Sequence, residues 1–197
     1  MIPTREDRMC QAKALDNVFR RRFGPPSRLV DLLDVREGMT VADLGAGVGY
    51  YAPEVLRRIG TKGRLYLVDI DEENLAIARR RCGNDPRLTV MTGTAAKVPG
   101  IPDSSVDRCL LSLVLCCLAD KSGAIGETWR VLKPGGVAVA TFPYRARRPP
   151  AKSRRLGLTR EMFQELASGR PWTVEQLPGR LVRRYRLRKP PTAAGSP

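Results

Sequence analysis

Within seven residues, Asp43-Leu44-Gly45-Ala46-Gly47-Val48-Gly49, the chain places one carboxylate and three glycines. Glycine adopts positive φ freely and carries no Cβ, so such a run lets the backbone turn tightly and approach a ligand at contact distance. A helix that follows offers unpaired N–H groups and a partial positive charge to an anionic group. A second carboxylate, Asp69, ends another β-type run twenty residues after Gly49, where an acid can accept from both hydroxyls of a ribose. These residue types at these spacings are suited to holding a nucleotide-like ligand.

Two cofactor classes compete for such a loop. A dinucleotide loop reads G-x-G-x-x-G/A, and its third small residue lets the helix pack closely on the strand. Counted from Gly45, that position is Tyr50, which is far too large; the third glycine is Gly49, giving G-x-G-x-G. Asp43 precedes the first glycine by two residues. A carboxylate there repels a pyrophosphate but suits an ammonium, which S-adenosylmethionine has and NAD lacks. Asp69 fits both, so the balance favours S-adenosylmethionine.

The rest of the composition narrows the chemistry. The 197 residues contain no histidine, which removes the commonest general base and any Ser-His or Cys-His nucleophile. Five cysteines (Cys10, Cys82, Cys109, Cys116, Cys117) make no Cys-x-x-Cys pair, so neither a disulfide framework nor a metal site is expected. No apolar run approaches the length that crosses a bilayer, and Arg5, Glu6, Asp7 and Arg8 interrupt any signal-peptide core. A cytoplasmic protein without a membrane partner is the expectation, and nothing in the sequence fixes an oligomeric state.

The elements that must position the loop follow from the hydrophobic pattern. Residues 1–38 read as two short helices, the second with Ser27 as its N-cap. From 39 to 142, β-branched runs alternate with amphipathic stretches: strands at Thr40–Leu44, Arg64–Asp69, Leu88–Thr92, Val106–Leu115 and Val137–Phe142. Helices are expected from about Tyr50 to Arg58, Glu72 to Arg81 and Lys121 to Leu132, with a turn at Lys133-Pro134-Gly135-Gly136. Residues 143–190 read as a basic loop, a helix near Thr159–Ala167 and a hairpin of Trp172–Glu175 with Leu181–Arg188; 191–197 reads as a disordered tail. The whole predicts one α/β domain over 1–190, a Rossmann-like doubly wound, mainly parallel seven-stranded sheet with a C-terminal antiparallel hairpin.

Five blocks in order then carry a resemblance: Val41–Gly49, Leu67-Val68-Asp69-Ile70-Asp71, Gly93-Thr94-Ala95, Ser105-Val106-Asp107 through Asp120, and Arg130-Val131-Leu132-Lys133-Pro134-Gly135-Gly136. Together they resemble a class I S-adenosylmethionine-dependent methyltransferase of the type 11 branch, which includes the ubiquinone and menaquinone biosynthesis methyltransferases. The resemblance implies that Asp43 and the loop (Gly45, Ala46, Gly47, Gly49) hold the methionine end, Asp69 the ribose and Ile70 the adenine face. Thr94 and Ala95 would flank the adenine edge, and Ser112 and Leu113 would lie beneath the methionine moiety. The family usually has an acid where this chain has Thr94. S-adenosylhomocysteine would be the product.

Methyl transfer is an in-line displacement from a sulfonium, so the protein mainly aligns the nucleophile and excludes water; positioning of this kind supplies roughly 7–11 kcal/mol. The absence of histidine is therefore no obstacle, with Asp103, Asp120, Tyr144 or a cysteine as the available bases. Relatives in this branch carry a Leu-His-His-like segment where this chain reads Leu115-Cys116-Cys117. Cys116 is thus a substrate-face candidate, together with Tyr144 and Arg145 after strand five. A small-molecule acceptor, anionic or thiol-like, fits these groups, though burial in the core is the stronger explanation of the cysteines. The formal charge of +15 is uneven: residues 143–197 hold 14 basic and 3 acidic side chains. Nucleic acid is accordingly an alternative partner through residues 144–155 and 180–189, where Arg184, Arg186 and Arg188 share a strand face; a solvated arginine surface explains the same residues. The alternative functions are an RNA- or protein-directed methyltransferase and a non-catalytic binding module that keeps the fold.

Overall fold

The apolar runs around Val41, Leu67 and Leu110 become strands because the chain buries them from both sides. A computed structural model describes residues 24–98, 100–143, 158–179 and 182–192. The expected N-terminal helix up to Arg22, the basic loop 144–155 and most of the expected tail lie outside these residues. Five parallel strands come first: β1 (Thr40–Leu44), β2 (Arg64–Asp69), β3 (Leu88–Thr92), β4 (Val106–Ser112) and β5 (Leu132–Pro143). With β6 (Thr173–Leu177) and β7 (Val182–Arg188) they form one seven-stranded sheet, ordered β3-β2-β1-β4-β5-β7-β6. Strand β7 runs antiparallel between β5 and β6, so the expected hairpin joins the sheet through its second strand.

Side chains alternate across the sheet, as the two-residue period requires. Val41, Leu65, Leu67 and Leu110 face a layer built from α1 (Pro26–Leu33), α2 (Ala52–Ile59) and α3 (Glu72–Arg81). Ala42, Val68, Cys109 and Leu111 face α4 (Lys121–Val131) and α5 (Arg160–Ser168). Helix starts are fixed by side-chain caps at three places: Asp71 accepts from the Glu73 and Asn74 N–H groups, Asp120 from Gly123 and Thr159 from Met162. Among the described residues no helix is long and apolar enough to cross a membrane.

Several expected boundaries move, each for a physical reason. Helix α1 begins at Pro26 rather than after a Ser27 cap, because proline's fixed φ suits the first helical position and its missing N–H costs nothing there. Strand β4 ends at Ser112 instead of Leu115. Leu113 takes φ +60°, which breaks the ladder, while Leu115 stays wholly buried; the apolar run continues because of burial and not because of pairing. The expected turn at 133–136 is a bulge within a longer β5, since Val106 pairs with Leu132 and Arg108 already with Val137. Strand β6 runs Thr173–Leu177, two residues beyond its expected end.

The hairpin is held to the sheet by aromatic packing. Tyr185 stacks on Phe142 at 5.6 Å, and Phe163 of α5 sits 4.5 Å from the Tyr185 ring. All three are almost fully buried. Phe163→Ala is expected to cost about 3–5 kcal/mol of unfolding free energy in urea titration, more than any exposed α5 substitution.

Candidate functional site

The carboxyl ends of β1, β2 and β4 meet at the glycine loop. Gly45, Gly47 and Gly49 take φ +83°, +53° and +67°, a region that other residues enter only at a cost. The Gly45 and Ala46 N–H groups both donate to the Val68 carbonyl, at 2.8 and 3.0 Å, and so anchor the loop on β2. Two glycines are also needed for space. A Cβ on Gly45 would lie 2.3 Å from a Val114 methyl, and one on Gly49 2.7 Å from the Ala78 Cβ of α3.

Asp69 ties the loop to the neighbouring strand ends. Its Oδ2 accepts from Gly47 N–H at 2.8 Å, its Oδ1 from Asp71 N–H at 3.0 Å, and its carbonyl from Gly93 N–H at 2.9 Å. Burial raises the Asp69 pKa, and the backbone donors of Asp71 and Gly47 only partly oppose it. Ile70 follows directly, partly exposed. Thr94 and Ala95 stand beyond β3, reached through the Gly93 bond; Ala95 is buried, and the Thr94 hydroxyl oxygen accepts from Ala96 N–H at 3.3 Å. Asp43 is 3% exposed near the end of β1. Its carboxylate adds to the burial that pushes the Cys109 thiol far up, which leaves Cys109 a protonated core side chain.

A second cluster forms where β4 and β5 end. The Tyr51 hydroxyl lies 3.0 Å from Ser112 Oγ, which lies 3.2 Å from Thr141 Oγ1. Leu113, in its left-handed conformation, donates its N–H to the Thr141 carbonyl at 2.9 Å and accepts the Cys116 thiol at 3.2 Å. Burial raises the Cys116 pKa, with Lys121 opposing it. Cys116 is a free thiol, and its Sγ lies 3.6 Å from Cys117 Sγ. Sequence reading missed Tyr51 and Thr141: Tyr51 stands beside Tyr50 immediately after the loop, and that doubled tyrosine was the available signal. Tyr50 itself turns to donate to the Gly24 carbonyl at 3.3 Å.

Other candidates lie apart. Asp103 precedes β4, at the opposite end of the sheet, and pairs with Arg130 at 2.6 Å. Asp120 is engaged as the α4 cap. Tyr144 and Arg145 lie outside the described residues. In the arginine row of β7, Arg186 donates twice to the Leu32 carbonyl, at 3.2 and 2.8 Å, and pairs with Glu175 at 2.8 Å. Arg184 donates to the Pro178 carbonyl at 3.0 Å. These guanidiniums therefore tie β7 to α1 and to the hairpin turn.

This arrangement has clear relatives. The methyltransferase domain family model matches residues 42–140, half of the chain. The chain belongs to that family. It is 34% identical over 109 residues to the ubiquinone/menaquinone biosynthesis C-methyltransferase of Hydrogenovibrio crunogenus, covering 54% of this chain and 43% of that protein. An uncharacterized 37.1 kDa transposon protein of Streptomyces fradiae is 35% identical over 117 residues, covering 59% of this chain and 34% of its own. The chain thus spans less than half the length of these curated relatives. Among solved structures, a SAM dependent methyltransferase from Aquifex aeolicus superposes with a TM-score of 0.77 at 23% identity, covering 90% of this chain and 96% of that one. This last likeness concerns the fold: a Rossmann-like class I methyltransferase sheet.

Two outcomes follow from the loop. Gly45→Ala forces a side chain into positive φ and against Val114, and should lower stability by about 2–4 kcal/mol in chemical denaturation. Asp69 carries a raised folded-state pKa, so the folded protein binds its proton more tightly than the unfolded chain. Its carboxyl therefore contributes less to stability as pH rises from the unfolded value toward the folded one. Wild type should lose stability relative to Asp69→Asn across that window; a constant difference from pH 3 to 7 would contradict it.

Proposed function

We propose that this chain is an S-adenosylmethionine-dependent methyltransferase acting on a small-molecule acceptor. The observation that carries the reading is the bond from Gly47 N–H to Asp69 Oδ2, which sets a ribose-type acid against a glycine loop with no room for side chains at Gly45 and Gly49. The residues present fit the cofactor. Each Asp69 oxygen spends one lone-pair direction on a backbone donor and keeps capacity for a hydroxyl. Asp43, at the loop entrance, supplies the acid for an ammonium. Ile70, Thr94 and Ala95 would border the adenine, and Ser112 and Leu113 the methionine end.

When bound, the cofactor supplies a methyl group on a sulfonium, an activated donor. What remains for the protein is alignment and exclusion of water. Ser112 is held between Tyr51 and Thr141 at the ends of β4 and β5, and the Tyr51 hydroxyl would orient an acceptor there. The half-buried Cys116 thiol gives that edge a soft, uncharged group, which suits an apolar or thiol-like acceptor. Relatives named as ubiquinone/menaquinone biosynthesis C-methyltransferases support a small-molecule acceptor over a macromolecule. So does the use of Arg184 and Arg186 within the fold, which removes them from a phosphate-binding row.

Calorimetry with S-adenosylhomocysteine tests the cofactor. Binding is expected, weakened at least about tenfold by Asp69→Ala through the lost charge-assisted hydrogen bonds; no binding by the wild type overturns the reading. For the acceptor, methyl-labelled cofactor is incubated with cell extract and fractionated by size. Label is expected in the low-mass fraction, and label confined to RNA or protein overturns the small-molecule assignment.

A further inference from the structure

A cavity of about 320 Å³ opens on the flank of the sheet between α5 and β6, room for roughly ten water molecules. It is distinct from the glycine loop: β6 lies three strand spacings beyond β4, about 14 Å across the sheet. Arg160 and Gln164 of α5, Arg170 and Trp172 of the following turn, and Gln176 and Tyr185 of the hairpin line it. No carboxylate does.

The polar lining is rich in donors. Among the described residues, neither the Arg160 nor the Arg170 guanidinium makes a salt bridge, and the Trp172 indole N–H is buried without an acceptor. The Tyr185 hydroxyl donates to Gln176 Oε1 at 3.4 Å, which leaves the Gln176 amide nitrogen available as a donor. Helix α4 makes room for this arrangement. Gly126 sits inside the helix, where glycine costs about 1 kcal/mol against alanine, and a Cβ there would stand 3.2 Å from Arg170 Nη2. A buried donor without a partner is costly unless an acceptor comes to it.

From these donors we infer that the α5–β6 cavity is a second ligand site, one that takes a small multivalent oxyanion, a phosphate ester by chemical class. Two guanidiniums match phosphate oxygens in a forked geometry, and the indole and amide donors complete the set. The chain's +15 charge raises the local concentration of such an anion. The site stands whether or not the methyl-transfer reading does, because it shares no residue with the glycine loop.

The molecule carries its own reporter. Its only two tryptophans, Trp129 and Trp172, pack edge to face at 4.7 Å beside this cavity. Intrinsic tryptophan fluorescence of the full chain is therefore titrated with inorganic phosphate and with glycerol phosphate, against sodium chloride at matched ionic strength. A saturable change with both phosphates and none with chloride is expected. Arg160→Gln/Arg170→Gln should move the midpoint at least tenfold while S-adenosylhomocysteine binding stays as in wild type. Gln164→Ala, at an exposed helix position that cannot unfold the domain, should move it several-fold in the same direction. An equal response to chloride, no saturation, or midpoints unchanged in both variants overturns the proposal.

Discussion

The carboxylate of Asp69 accepts from Gly47 on one side and Asp71 on the other, and much of the candidate site hangs on that geometry. Parallel pairing of Leu44 with Val68 brings β1 and β2 to an end side by side, so the loop leaving β1 meets the last residue of β2 without a connecting segment. Val68 takes the first two loop amides on its carbonyl, and Asp69 takes the next donor on its side chain. Three left-handed glycines are the consequence: only that backbone path aims successive N–H groups back at β2. The same residue's carbonyl holds Gly93, so β3's exit is registered to the loop by one residue.

The opposite wall depends on a complementary strain. Leu113 leaves β4 with positive φ, uncommon for a branched side chain, and three bonds hold it there: its own N–H to Thr141, its carbonyl under Cys116, and the neighbouring Cys117 N–H to the Val114 carbonyl. That turn presses Val114 onto Gly45. The glycine loop and the exit of β4 are consequently in van der Waals contact, and a change in one is felt by the other.

Much of this was legible along the chain. Strands β1 to β3 and helix α3 fall where the sequence places them, because each is bounded by a strong local signal: Gly38 before β1, Asp71 as a cap, an arginine run closing α3. Asp43, Asp69 and the glycines are legible for the same reason, being short-range patterns at strand ends. What hydrophobicity could not separate is burial from pairing. Leu113 to Leu115 continue β4's apolar run after its ladder has ended. Nor could it show the Tyr51–Ser112–Thr141 chain, whose members lie 61 and 29 residues apart and meet only through the order of β1, β4 and β5. Arg186 shows the converse: read alone it is a surface cation, and only folding reveals the α1 carbonyl it satisfies.

A desolvated acid beside a loop of glycines has an energetic consequence. Burial disfavours the charged form of Asp69, and the backbone donors of Asp71, Gly47 and Ile70 do not fully offset it. Hydroxyl donors from a ligand would relieve that deficit in the folded state alone, since the unfolded carboxylate is hydrated already. A ligand bound there would couple its affinity to fold stability through one side chain, raising stability with the logarithm of its concentration. Three glycines cost backbone entropy on folding, but the path they take brings the Gly47 N–H onto the Asp69 carboxylate.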